Sequence, residues 1–169
     1  LGGELIDVKL NPDDVRDTWW TQEHISLDAY SRYFIPKYIS EEKVLYLDAD
    51  LLVLKNLEDI FEIDMKGHPI AAVMDTDNQS FNSGVLLIDN GLWKRENMTE
   101  QLVNETNGSL QQALEGNIPK FNGDQTIFNK VFRDRWLALD KRMNLQVGHD
   151  VTAFMSHWPN HFIDSVGPY

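Results

Sequence analysis

Apolar and polar residues alternate in Leu5-Ile6-Asp7-Val8-Lys9-Leu10, the period-two signature of a strand or extended entry, and Asn11-Pro12-Asp13-Asp14 breaks it. From Ser26, a residue type suited to helix caps, apolar residues recur at three- and four-residue steps: Leu27, Tyr30, Phe34, Tyr38. This spacing predicts a helix over 27–38, kinked or ended by Pro36. Lys43-Val44-Leu45-Tyr46-Leu47 is nearly continuous in apolar character, as expected of a central strand covered on both faces. Asp48-Ala49-Asp50 follows at its carboxyl end. Leu51 to Leu54 resumes the apolar run, and a helix is expected to open at Asn56 with acidic residues in its first turn, where the macrodipole favours them.

Pro69 to Met74 reads as a second buried strand, Phe81-Asn82-Ser83-Gly84 as a turn, and Val85-Leu86-Leu87-Ile88 as a third strand. Trp93 through Val103 has helical character. Asn104 to Asn117 is polar and interrupted by Gly108 and Gly116, which suggests a surface excursion. Helical spacing returns from Asp124 to Phe132, and Trp136-Leu137-Ala138-Leu139 is a short strand. Short apolar strands alternating with helices predict one α/β domain with a mainly parallel central sheet flanked by helices. Ligands of such sheets bind beyond the carboxyl ends of the strands, where Asp48 and Asp50 fall.

Charge narrows the partners. The net charge of −12 makes nucleic acid an unfavourable ligand and requires a local cation or arginine wherever an anion binds. The absence of Cys removes disulfides and thiolate metal sites. No apolar run approaches the roughly 18 residues of a membrane span. The triplets at Asn78, Asn97, Asn104 and Asn107 fit the glycosylation pattern but are common by chance in an Asn-rich chain. Leu1 is not Met, Leu1-Gly2-Gly3-Glu4 resembles no signal peptide, and Val166-Gly167-Pro168-Tyr169 stops in a turn-like segment, so a piece of a longer protein is expected.

Two carboxylates directly after an apolar strand are hard to explain structurally, because a buried, unpartnered carboxylate costs several kcal/mol. In extended backbone, residues i and i+2 share a face, so Asp48 and Asp50 can grip one divalent cation. Their hard oxygens suit Mg²⁺ or Mn²⁺ rather than Zn²⁺. The bland alternative is capping or pairing with nearby Lys or Arg. A phosphatase of the haloacid-dehalogenase type also places D-x-D after a strand, but Leu51-Leu52 lacks the small or hydroxyl residue of its tight turn.

The chain resembles glycosyltransferase family 8, which includes bacterial lipopolysaccharide hexosyltransferases and glycogenin. Four blocks in order carry the likeness: Ser26 to Pro36, Lys43 to Val53, Phe81 to Ile88, and Asp124 to Asn129. The resemblance implies a GT-A fold and retaining transfer of a hexose from a UDP-sugar, UDP-glucose or UDP-galactose, to a glycan, glycolipid or glycoprotein acceptor. It implies Mn²⁺ (or Mg²⁺) on Asp48 and Asp50. It also implies donor contacts from Arg32, Asn82, Asp124 and Gln125, with Asp124 and Gln125 nearest the transferred sugar. A carboxamide is a poor nucleophile, so Gln125 is expected to position and stabilise charge. No carboxylate is assigned as a nucleophile, which favours front-face attack over double displacement.

The departures are specific. The uridine-binding strand of the family would precede Leu1, and its terminal His-x-x-Gly-x-x-Lys-Pro-Trp pattern is not matched by His157 or His161. His149, His157 and His161 are expected to be structural. Asn144 matches a Trp-Asn pattern after the last strand, but Met143 replaces the Trp and no function is carried there. A single partial catalytic domain is therefore expected, in a cytoplasmic protein peripheral to the membrane if its acceptor is lipid-linked. The alternative is a catalytically incomplete module that binds sugar or protein.

Overall fold

Four strands form one sheet in the order β1-β3-β2-β4, with β1 Lys43–Leu47, β2 Ile70–Met74, β3 Phe81–Asp89 and β4 Trp136–Leu139. They belong to a computed structural model that describes residues 7–9, 11, 13–15, 19, 27–118 and 123–146. The described helices are α1 Ile35–Tyr38, α2 Glu58–Phe61, α3 Asn90–Arg95, α4 Met98–Leu114 and α5 Gly123–Val131, with 3-10 segments at Leu27–Phe34 and Lys141–Met143. The α/β class with flanking helices is as expected, but the mainly parallel order is not. β3 runs antiparallel to both β1 and β2, while β2 and β4 are parallel. The link 75–80 between β2 and β3 is too short for a parallel crossover, which needs a dozen or more residues, so the chain must turn straight back.

β1, β2 and β4 nevertheless point the same way, since β1 and β2 are each antiparallel to β3. Asp48, Asp75 and Asp140 follow their carboxyl ends, and β3 enters from that end of the sheet. Alternate residues of β2 and β3 serve two cores. Ile70, Ala72, Leu86 and Ile88 join Tyr30, Tyr33, Trp93, Met98, Leu102, Ile127, Phe128 and Phe132 beneath the helices. Ala71 and Leu87 face a smaller cluster with Ile60 and Met65.

Local departures have local causes. β1 is half-buried along its length and is an edge of the described sheet, not a doubly covered centre. The strands buried on both faces are β2 and β3. The helix expected over 27–38 is a 3-10 segment followed by one α turn, with Pro36 in that first turn, where its missing N–H has no helical partner to lose. Leu51 to Leu54 forms no strand, and Leu52 is 82% exposed. The helix expected over 93–103 is divided at Asn97, whose φ of 51° is left-handed. α4 then continues through Gly108 to Leu114, where a surface excursion was expected. Its inner face, Leu102, Thr106 and Ser109, keeps helical spacing with small hydroxyl residues in place of aliphatics. Ser26, His149, His157, His161 and most of the segment Leu5–Leu10 lie outside the described residues; Asp7–Lys9 has no regular structure.

Candidate active site

The register between β2 and β3 slips in mid-strand. Ala72 faces Leu86 but Val73 faces Asn82, so residues 83–85 have no partner on β2. The segment expected to be a turn is thus a bulge inside β3, and it leaves backbone groups seeking partners. Gly84 N–H donates to Asn82 Oδ1 at 2.9 Å. Ser83 N–H donates to Gln125 Oε1 at 3.0 Å, joined by Ser83 Oγ at 3.2 Å. The Ser83 carbonyl accepts from Arg32 Nη1 at 2.6 Å.

α5 is fastened to this bulge. Asn129 Oδ1 accepts from Phe81 N at 2.8 Å, and its Nδ2 donates to Phe81 O at 2.9 Å. Gln125, one turn earlier on the same face, reaches Ser83 and donates from Nε2 to Asp75 Oδ2 at 2.9 Å. Gly123, at φ 63°, makes the left-handed entry that puts Asp124 in the first turn. Sequence reasoning missed Asp75, although it follows β2 as Asp48 follows β1. It also missed the contact of Asn144, whose Nδ2 donates to Asn82 Oδ1 at 2.8 Å.

Arg32 and Asp124 form the buried charge centre, 5% and 3% exposed. Arg32 Nε lies 2.6 Å from Asp124 Oδ2, yet its N–H is directed at the Ala29 carbonyl, 3.0 Å away. Asp124 Oδ2 therefore feels the guanidinium charge without an in-line hydrogen bond. Burial pushes the Asp124 carboxyl up to about 6; Arg32 pulls it down without cancelling that cost, and the negative charge of Asp48 adds to the rise. Arg32 Nη1 sits 3.6 Å from Asp48 Oδ1, and Arg32 Cζ lies 4.7 Å from the centre of the Tyr46 ring. Tyr46 donates its hydroxyl to Asp48 Oδ1 at 2.7 Å. Burial raises the Tyr46 phenol, which keeps it a neutral donor.

Just past the end of β1, the Asp48 N–H makes a last bond to the Gly84 carbonyl at 2.9 Å. Ala49 and Asp50 then turn, so the same-face argument for extended backbone does not reach Asp50, which is exposed. Gly84 is required by close approach: a Cβ there would lie 2.9 Å from Asp48 Oδ2. Among the described residues no three His, Asp or Glu side chains cluster closely enough to hold a metal ion. The donors available are two hard carboxylates, and the bare Gly84 leaves space at one of them. That set fits Mg²⁺ or Mn²⁺, which keep waters and substrate phosphates as ligands, and does not fit a fully protein-ligated cage.

Residues 12–161 match the profile of glycosyl transferase family 8. Glycosyltransferase GlyD of Streptococcus pneumoniae is 49% identical over 161 residues, covering 95% of this chain and 20% of that protein. GlyE of the same organism is 37% identical over 156 residues, covering 90% of this chain and 37% of its own length. The crystal structure of GlyE superposes with a TM-score of 0.61 at 36% identity, over 80% of this chain and 34% of that one. Galactosyltransferase LgtC, solved with donor and acceptor sugar analogues, gives a TM-score of 0.63 at 25% identity, over 87% of this chain and 56% of its own. The chain thus spans well under half the length of GlyD and GlyE. The described sheet and helices have the GT-A fold. The profile runs across the bulge, the paired strands and the helix that carries Asp124 and Gln125, and the chain belongs to glycosyl transferase family 8.

Proposed function

We propose that the chain forms the donor-binding part of a retaining, metal-dependent glycosyltransferase that moves a glucose or galactose from its UDP-sugar to a glycan, glycolipid or glycoprotein acceptor. One observation carries the reading: Arg32, Asn82, Asp124 and Gln125 converge on the bulge of β3, with Asp48 beside them. That LgtC is a galactosyltransferase captured with donor and acceptor sugar analogues supports the choice of substrate class.

Asp48 and Asp50 would hold Mn²⁺ or Mg²⁺, which when bound supplies positive charge to the donor diphosphate and to the phosphate that departs. A cation also reconciles a diphosphate ligand with a chain of net charge −12. Tyr46 and Arg32 hold Asp48 at Oδ1, whereas Gly84 faces its Oδ2. The oxygen of Gln125 is saturated by Ser83 and one of its N–H groups by Asp75, which leaves one N–H for a ligand. Gln125 is therefore a positioning and charge-stabilising group, in keeping with front-face attack in which the departing phosphate takes the acceptor's proton. Asp124 would accept from a sugar hydroxyl while Arg32 holds it in place. No helix among the described residues is long and apolar enough to cross a membrane.

The test is UDP release by the full-length protein from a panel of nucleotide sugars with Mn²⁺. Release from UDP-glucose or UDP-galactose is expected, abolished by chelator and lowered about 100-fold or more in Asp48→Asn. Neither binding nor hydrolysis of any nucleotide sugar would favour the non-catalytic binding module.

A further inference from the structure

Two backbone N–H groups fix the polarity of both site amides. A backbone N–H can only donate, so the atom that Gly84 N–H meets on Asn82 must be the carbonyl oxygen, and the atom that Ser83 N–H meets on Gln125 must be its oxygen. Asn82 Oδ1 has two lone pairs. Gly84 N–H takes one, and Asn144 Nδ2 takes the other at 2.8 Å. The oxygen of Asn82 is then fully occupied.

Resting on the donor-site reading above, we infer that Asn144 is a positioning residue that locks Asn82 so that only its Nδ2 hydrogens face the ligand. Asn144 is suited to this. It is 7% exposed, and its own N–H is tied to the Lys141 carbonyl at 3.2 Å in the tight turn that follows β4. Asp140 caps that turn by accepting from Arg142 N at 2.9 Å. Without Asn144, Asn82 keeps one tether, to a residue two positions away, and its side chain is free to swing. The consequence for recognition is specific. A ligand hydroxyl at Asn82 accepts with its oxygen and must send its own proton to a different acceptor.

The test uses the full-length protein with Asn82→Ala, Asn144→Ala, Asn144→Asp and the double alanine variant. Donor KM and kcat are measured for UDP-glucose and UDP-galactose with Mn²⁺, beside side-chain amide NMR of the free protein. Asn144→Ala is expected to raise donor KM about five- to tenfold in the wild-type background and to do nothing in the Asn82→Ala background. Asn144→Asp conserves volume but sets an acceptor against Asn82 Oδ1, and it should weaken the donor at least as much; a space-filling role would tolerate it. The Asn82 amide resonances should shift in Asn144→Ala before any nucleotide sugar is added. Unmoved resonances, or an equal effect of Asn144→Ala in both backgrounds, overturn the inference. Shifted resonances with Asn82→Ala silent toward every donor would instead strike the reading of Asn82 as a donor contact.

Discussion

Asp124→Asn isolates the cost of the buried charge. Asp124 is 3% exposed, and its carboxyl sits at about 6 against an ordinary 3.8, chiefly through burial. Below 3.8 the folded and unfolded chains both hold the proton and no penalty exists. As pH rises, the unfolded chain loses its proton first, and the folded state is disfavoured increasingly until about 6. The gap between the two values corresponds to about 3 kcal/mol. Asparagine keeps the shape and removes the titration. Its advantage should be absent near pH 3.5, grow from pH 4 to 6 and level off above. A domain of this size gains roughly 2–4 °C per kcal/mol, so Asp124→Asn should melt about 6–12 °C higher at pH 8, with donor turnover lost. The assay is thermal unfolding across pH 3.5–8 with chelator present. Lower stability of the variant than of the wild type at pH 8 would refute a dominant burial cost. That result would mean the close contact with Arg32 outweighs desolvation, since breaking a dominant buried pair costs about 3–5 kcal/mol.

Other substitutions separate scaffold from site. Gly84→Ala should lower metal-dependent donor affinity about tenfold with little change in melting temperature, because the atoms that must shift are side-chain oxygens, Asp48 Oδ2 at 2.9 Å and Asn82 Oδ1 at 3.1 Å from the added Cβ, and not backbone; calorimetry and thermal unfolding check the two parts. Asn129→Ala should cost about 2–4 kcal/mol in denaturant unfolding, because the N–H and C=O of buried Phe81 both lose their partner. Phe128→Ala should cost about 3–5 kcal/mol in the same measurement, since its ring is fully buried between Tyr33, Trp93 and Phe132.

Much of this architecture was legible before any coordinates. Strands rich in Val, Leu and Ile stood out because β2 and β3 are covered on both faces, and helix α5 because Ile127, Phe128 and Val131 keep helical spacing. Strand direction was not legible, because an apolar run carries no sign of its partner's orientation; the short 75–80 link held that information. Phe81 to Gly84 looked like a turn since Asn, Ser and Gly favour turns, and the bulge uses the same backbone freedom inside a strand. α4 was hidden because its buried face carries Thr106 and Ser109. Of the residues that meet at the bulge, Arg32, Asn82, Asp124 and Gln125 had been singled out through motif blocks and Asp48 by its place after an apolar strand. Asp75 was not, and Asn144 was noted without a role, because their contacts are hydrogen bonds across 50 and 62 residues of chain.

The proposed diphosphate site at this end of the sheet depends on a cation held by Asp48 and Asp50. Calorimetric titration of the full-length protein with UDP-glucose and UDP-galactose, with and without Mn²⁺, tests it most directly. Mn²⁺-dependent binding of one of them is expected, weakened about 100-fold by chelation and lost in Asp48→Asn at unchanged melting temperature. Equal affinity without metal, or wild-type binding by Asp48→Asn, would contradict it.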